Sequence, residues 1–145
     1  MRQFTIYGEP VGKGRPKFST MGGFARAITP EKTVNYENLV KLSYQQQCNE
    51  KPYDKDVQLI AQIYAYFPIP KSASKKKQKE MQSMVLCPTK KPDLDNIVKA
   101  VLDALNGIAF YDDSQIVRLQ VEKYYSDIPR VDVYISKRLR GLDDE

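Results

Sequence analysis

Four carboxylates, an amide and an ammonium fall within one short stretch of this chain. Lys91-Pro-Asp-Leu-Asp-Asn-Ile-Val-Lys99 is followed by Asp103-Ala-Leu-Asn-Gly107 and then by Asp112-Asp113. Asp93, Asp95, Asp112 and Asp113 offer hard oxygen donors, which suit Mg2+ or Mn2+ better than zinc. The surrounding chain is basic, with 23 Lys+Arg against 18 Asp+Glu and a net charge of +5. Acids for a divalent cation, set among bases for a polyanion, point to metal-assisted chemistry on a nucleic-acid phosphate.

The charges are segregated. Cations gather at Lys13-Arg15-Lys17, at Lys71 to Lys79 and at Lys90-Lys91, and acids at 93–113 and the terminal Asp143-Asp144-Glu145. Such segregation is the electrostatic footprint of a nucleic-acid enzyme. Histidine is absent, which excludes Ser-His-Asp and Cys-His catalysis and any imidazole base. Cys48 and Cys87 lack metal-ligand spacing and read as two reduced thiols. With no long apolar run and no leader pattern, a cytoplasmic protein without membrane contact is expected.

The elements that must position the acids read as one α+β domain over residues 1–138, with a charged tail at 139–145. Phe4 to Tyr7 alternates like a strand and breaks at Gly8 and Pro10. Residues 11–28 form a glycine-rich basic loop or hairpin. Thr29-Pro30-Glu31 predicts a helix start, with Thr29 as N-cap and Pro30 at the first helical position. That helix runs to about Gln47, with an apolar face of Val34, Leu39, Val40, Leu42 and Tyr44. Residues 56–68 form the longest strand. Ser72 or Ser74 caps a short lysine-rich helix. Gln115 to Tyr125 and Val131 to Ile135 alternate again and are expected to pair as a hairpin through 126–129. The sheet is therefore mixed or mostly antiparallel, with helices packed on it. Tyr64, Tyr66, Tyr124 and Tyr125 are expected in the core or in a dimer contact, and Phe110 and Tyr111 in packing beside the acids, with stacking on an exposed base as the alternative.

A third helix starting at Asp93 has an apolar stripe of Leu94, Val98, Val101, Leu102 and Leu105. Asp95, Asn96, Lys99, Asp103 and Asn106 fall on another face, within about 100° of one another. Asp93 follows Pro92 and can cap the helix, and Asn106-Gly107 marks its end. The helix is about 20 Å long, and the chain from Gly107 to Asp113 covers about 20 Å when extended. A turn back at Gly107 is thus expected to bring Asp112 and Asp113 beside Asp93 and Asp95. Two such charges 4 Å apart repel by about 4 kcal/mol at an effective dielectric of 20, so a cation or raised pKa values must intervene. The plainer alternative makes Asp93 a cap, Asp95–Lys99 an i,i+4 ion pair and Asp112-Asp113 a turn.

The ordered pattern Asp93-Leu-Asp95-Asn96-Ile-Val-Lys99, Asp103-Ala-Leu105, Asp112-Asp113-Ser-Gln115-Ile116 resembles the RusA family of Holliday junction resolvases. The strong likeness covers residues 91–117, and a weaker one extends to Gly14-Arg-Pro-Lys17 and the last two strands. The resemblance implies a RusA-like fold and a homodimeric, Mg2+-dependent endonuclease of four-way DNA junctions, with Mn2+ as a substitute. It maps essential acids onto Asp93, Asp95 and Asp113 and an essential lysine onto Lys99. Asp112 becomes a further metal ligand, with Asn96 and Asp103 in support.

Lys13, Arg15 and Lys17 on the loop, Lys75, Lys76 and Lys77 on the short helix, and Lys90 and Lys91 before the acids are the expected DNA contacts. Two alternatives stay open: a general branched-DNA or flap nuclease, and a non-catalytic junction-binding accessory protein. A DxD phosphatase needs an apolar strand before its acids, and Cys87-Pro-Thr-Lys-Lys-Pro precedes them here. A calcium-binding helix–loop–helix fails for want of a glycine at the sixth loop position.

Overall fold

The computed structural model describes residues 1–23 and 25–139; the tail expected at 139–145 lies, after Leu139, outside the described residues. Six strands and three helices follow in the order β1 (Arg2–Tyr7), β2 (Lys17–Ser19), β3 (Arg26–Ile28), α1 (Glu31–Gln47), β4 (Leu59–Pro68), α2 (Lys75–Gln82), α3 (Leu94–Leu105), β5 (Ile116–Ser126) and β6 (Arg130–Lys137). The class is α+β, as expected. β2 and β3 form a separate antiparallel hairpin within the glycine-rich segment.

The main sheet has the order β1-β6-β4-β5. β4 takes the centre because alternate residues along all of it are buried, from Leu59 through Ile63 to Phe67. It pairs antiparallel with β6 and parallel with β5. The expected β5–β6 hairpin is therefore corrected: the two strands are not neighbours, and residues 127–129 arch over the end of β4. The alternation of Val131, Val133 and Ile135 drives β6 between two apolar strands. The more polar β5 is left at the edge.

One face of the sheet is covered by α1 over β1 and by α3 toward β5. α1 buries Thr33, Tyr36, Val40, Ser43 and Tyr44, whereas Val34, Leu39 and Leu42 are exposed. The expected apolar face of α1 is thus rotated, because the ring of Tyr36 and small Thr33 and Ser43 fill the contact. Pro30 itself occupies the N-cap, and no side chain caps the helix. The Thr33 hydroxyl accepts instead from the Gly14 N–H at 2.9 Å. α2 is capped by Ser74, whose hydroxyl accepts from the Lys77 N–H. On the other face, Tyr64 and Tyr134 meet edge-on at 5.9 Å and Arg130 stacks on Tyr66 at 4.0 Å. The tyrosines of that face, Tyr124 included, are half-buried rather than core, while Tyr125 packs against the core.

The outer edge of β1 is occupied by a side chain. Gln47, at the end of α1, accepts from the Thr5 N–H at 2.8 Å and donates to the Thr5 carbonyl at 2.7 Å.

Candidate active site

α3 carries the chemistry because its two faces are sorted. Ile97, Ala100, Val101, Ala104 and Leu105 are buried at i, i+3, i+4, i+7 and i+8. The small alanines let α3 lie close to its neighbours. Leu94, expected in this stripe, is exposed, and Val98 is only partly buried at its margin. Asp95, Lys99 and Asp103 follow one another at successive turns on the outer side.

Asp93 sits at the N-cap of α3 with φ −70° and ψ 156°, but its side chain makes no capping hydrogen bond. Asp93 and Asp95 are exposed, and neither joins an ion pair among the described residues. Lys99 is also exposed and pairs with neither Asp95 nor Asp103. Asp93 therefore holds the N-cap position without a side-chain cap bond, and the i,i+4 pair of Asp95 with Lys99 is not formed. Two uncommitted carboxylates in open solvent suit Mg2+, which takes one or two protein carboxylates, keeps several waters and accepts substrate phosphate oxygens.

The other acids stand at the far end of the helix. Asn106 closes α3, and Gly107 turns the chain with φ +78°, a conformation suited to glycine. The Gly107 N–H donates to the Phe110 carbonyl at 2.7 Å, and the Tyr53 N–H donates to Ala109 at 2.9 Å. Ala109 and Phe110 are fully buried, while Tyr111 is exposed. This tight, anchored turn consumes the chain that an extended return would need. The Asp113 N–H donates to Asn106 Oδ1 at 2.9 Å, which ties Asp113 to the C-terminal turn of α3, and its charge neighbours are Asp112 and Asp103. The expected meeting of Asp112 and Asp113 with Asp93 and Asp95 is thus corrected. Among the described residues no three acidic, cysteine or histidine side chains gather as a metal-holding group.

Asp112 caps the 3-10 turn Asp113–Gln115. Its carboxylate accepts from the Ser114 N–H, while Gln115 Oε1 accepts from the Asp112 and Tyr111 N–H groups. The bonds from Ser114 hold the Asp112 carboxyl below its usual range. Partial burial, with the charges of Asp112 and Asp103, raises that of Asp113. The acids therefore form two groups along one helix, Asp93 and Asp95 at its start and Asp103 and Asp113 toward its end, with Lys99 between.

Lys13 corrects another expectation. Its ammonium binds Glu37 at 2.6 Å and Asp103 at 3.3 Å, so it ties the loop after β1 to α1 and α3 rather than standing free for DNA. Burial lowers its pKa, but the hydrogen bonds and charges of Glu37 and Asp103 outweigh that and raise it. Arg15, Lys75, Lys76, Lys77, Lys90 and Lys91 are exposed. The side chain of Lys17 lies outside the described residues.

Three residues of this region escaped the sequence reading. Glu37 is the acid that Lys13 needs. Lys32, in the first turn of α1, lines a cleft beside Asp93 and carries no signal in the linear pattern. Lys123 had one: it interrupts the apolar alternation of β5 opposite buried Ala65. It donates to the Lys90 carbonyl and lies 5.1 Å from the Phe67 ring centre.

A family model described as endodeoxyribonuclease RusA matches residues 7–136, from the end of β1 to β6. The chain belongs to the RusA endodeoxyribonuclease family. It is also similar to a protein of Bacillus subtilis (strain 168), uncharacterized protein YqaN, with 42% identity over 133 residues, 92% of this chain and 94% of the relative. The RusA match spans α3 and both acid groups, so the acids of this chain belong to a nuclease fold. Among the described residues no helix is long and apolar enough to cross a membrane.

Proposed function

We propose that this RusA-family chain resolves four-way DNA junctions by Mg2+-dependent, paired symmetric hydrolysis of phosphodiester bonds, as a homodimer. The observation that supports this most is the state of Asp93 and Asp95. Both carboxylates stand free at the start of α3, beside a cleft lined by Lys13, Lys32 and Lys91. Asp93 and Asp95 would hold Mg2+, or Mn2+ in its place. The ion, when bound, supplies activation of water and neutralisation of phosphate charge.

The protein's own groups do the rest. Asp93 and Asp95 fix where the reacting phosphate lies. Lys99, one turn on and without an acid partner among the described residues, offers its ammonium to charge developing on the phosphate or the leaving oxygen. Asp113, matched by the family pattern to an essential acid, forms with Asp103 the second acidic point of the same stripe. Exposed Arg15, Lys75, Lys76, Lys77, Lys90 and Lys91 supply salt-dependent attraction to the backbone. A twofold dimer would present two such sites to a twofold junction.

The test is cleavage of a mobile four-way junction in Mg2+, against a flap and a linear duplex, with the oligomeric state measured by light scattering. Paired nicks confined to the junction, from a dimer, are the expected result. Equal cutting of the flap would replace this reading with a general branched-DNA nuclease. Binding without nicks in Mg2+ and Mn2+ would replace it with a junction-binding accessory protein.

A further inference from the structure

A cleft of about 350 Å³ opens beside Asp93, between the first turn of α1 and the start of α3. Its floor is the chain after β1, held in close register with α3. A Cβ on Gly12 would fall 2.8 Å from Pro92 Cβ and 3.1 Å from Asn96 Cβ, so the two backbones approach as only glycine allows. The Lys13 N–H donates to the Asn96 carbonyl at 2.9 Å. The Lys13 ammonium is spent on Glu37 and Asp103. That leaves Lys32 from α1 and Lys91 from the approach to α3, lining the cleft from two elements. Both are exposed, and neither joins an ion pair among the described residues. Asp93 is the one acid of the lining.

Two lysines that line one cleft and join no ion pair among the described residues, on a backbone fixed by hydrogen bonding and close packing, suit a singly charged phosphodiester. They do not suit an apolar or cationic ligand. We propose that Lys32 and Lys91 form a subsite for the DNA backbone phosphate next to the one that is cut, on the Asp93 side of the site. The proposal rests on the nuclease reading and adds to it a direction: the bound strand leaves the acids between α1 and α3.

The experiment measures binding of the full chain to a four-way junction and to a linear duplex without divalent cation, from 50 to 200 mM salt. Wild type is compared with Lys32→Gln, Lys91→Gln and, as a control, Lys51→Gln, whose backbone carbonyl holds Arg2 at the opposite end of β1. Removing one ammonium from a phosphate should lower the slope of log affinity against log salt by about 0.9, so across that range the affinity of each subsite variant should fall about 3.5-fold less than that of wild type. Melting temperatures should not change, and the control should keep the wild-type slope. A wild-type slope in Lys32→Gln, or an equal drop in Lys51→Gln, overturns the subsite even if the wild-type enzyme cuts junctions. A reduced slope in a protein that binds but never nicks leaves a phosphate contact at Lys32 and Lys91 but overturns both the cleavage reading and the place of that contact beside a cut. Wild type that binds no DNA overturns both.

Discussion

The side-chain oxygen of Asn106 holds the backbone N–H of Asp113 at 2.9 Å, and this one bond decides where the last acid of the motif stands. It fixes Asp113 at the C-terminal turn of α3, beside Asp103 and away from Asp95. The raised pKa of Asp113, caused by burial and by Asp112 and Asp103, means that its ionised form strains the fold slightly. Protonation favours the folded state. That stability is fully present below the ordinary carboxylate range and is lost as pH rises through the raised folded value.

Asp113→Asn should therefore be slightly more stable than wild type at pH 7, by less than about 0.5 kcal/mol given exposure to water. The gain should vanish in melts run at pH 3, where the wild-type carboxyl is protonated. A variant less stable at pH 7 would show that the carboxylate is held by an attraction.

Asp95→Asn should lower junction cleavage on the order of 10³-fold, from the removal of several kcal/mol of metal-borne stabilisation. Binding and melting temperature should stay at wild-type values, because Asp95 has no ion-pair partner among the described residues. Single-turnover cleavage and calorimetry on the same preparation separate the two. A lowered melting temperature would make Asp95 structural.

Lys13→Met should cost about 1–2 kcal/mol of stability, between the values of exposed and fully buried pairs, since it strands Glu37 and Asp103. Its raised pKa adds a pH signature. The contribution of Lys13 is complete below the ordinary lysine value of 10.5 and is lost at higher pH, through its folded value. Denaturant unfolding at pH 7 and pH 11 checks this: the gap between wild type and variant should narrow at the higher pH.

Gly12→Ala should destabilise the protein by about 1–3 kcal/mol through overpacking against Pro92 and Asn96. It should also slow cleavage, since the displaced element is the start of α3 that carries Asp93. Thermal melts with cleavage assays well below the transition report the two effects. An unperturbed melt would mean that the start of α3 yields freely.

Where structure followed local pattern, the sequence was a sufficient guide. β1, β4, the end of α1, the Ser74 cap and the outward line of Asp95, Lys99 and Asp103 all follow from periodicity and capping chemistry within a few residues. The failures lie where two segments compete for one place. β5 and β6 have a short connection and matched alternation, which read as a hairpin, yet the more apolar β4 displaces β5 to the edge. The distance from Gly107 to Asp113 gave the reach of the chain but not its direction, which burial of Ala109 and Phe110 and the amide of Asn106 decide. Lys13 looked like a free cation because its partners, Glu37 and Asp103, come from two other elements. The α1 face was misread because Thr33 and Ser43 are polar by type and buried by position.

The clasp of Gln47 on Thr5 has a bearing on aggregation. An exposed edge strand is a template on which other chains can polymerise. Here the amide of Gln47 fills the rung of β1 at Thr5 that an incoming backbone would need. Rim-to-rim pairing along β1 therefore finds the bonds of Thr5 already made.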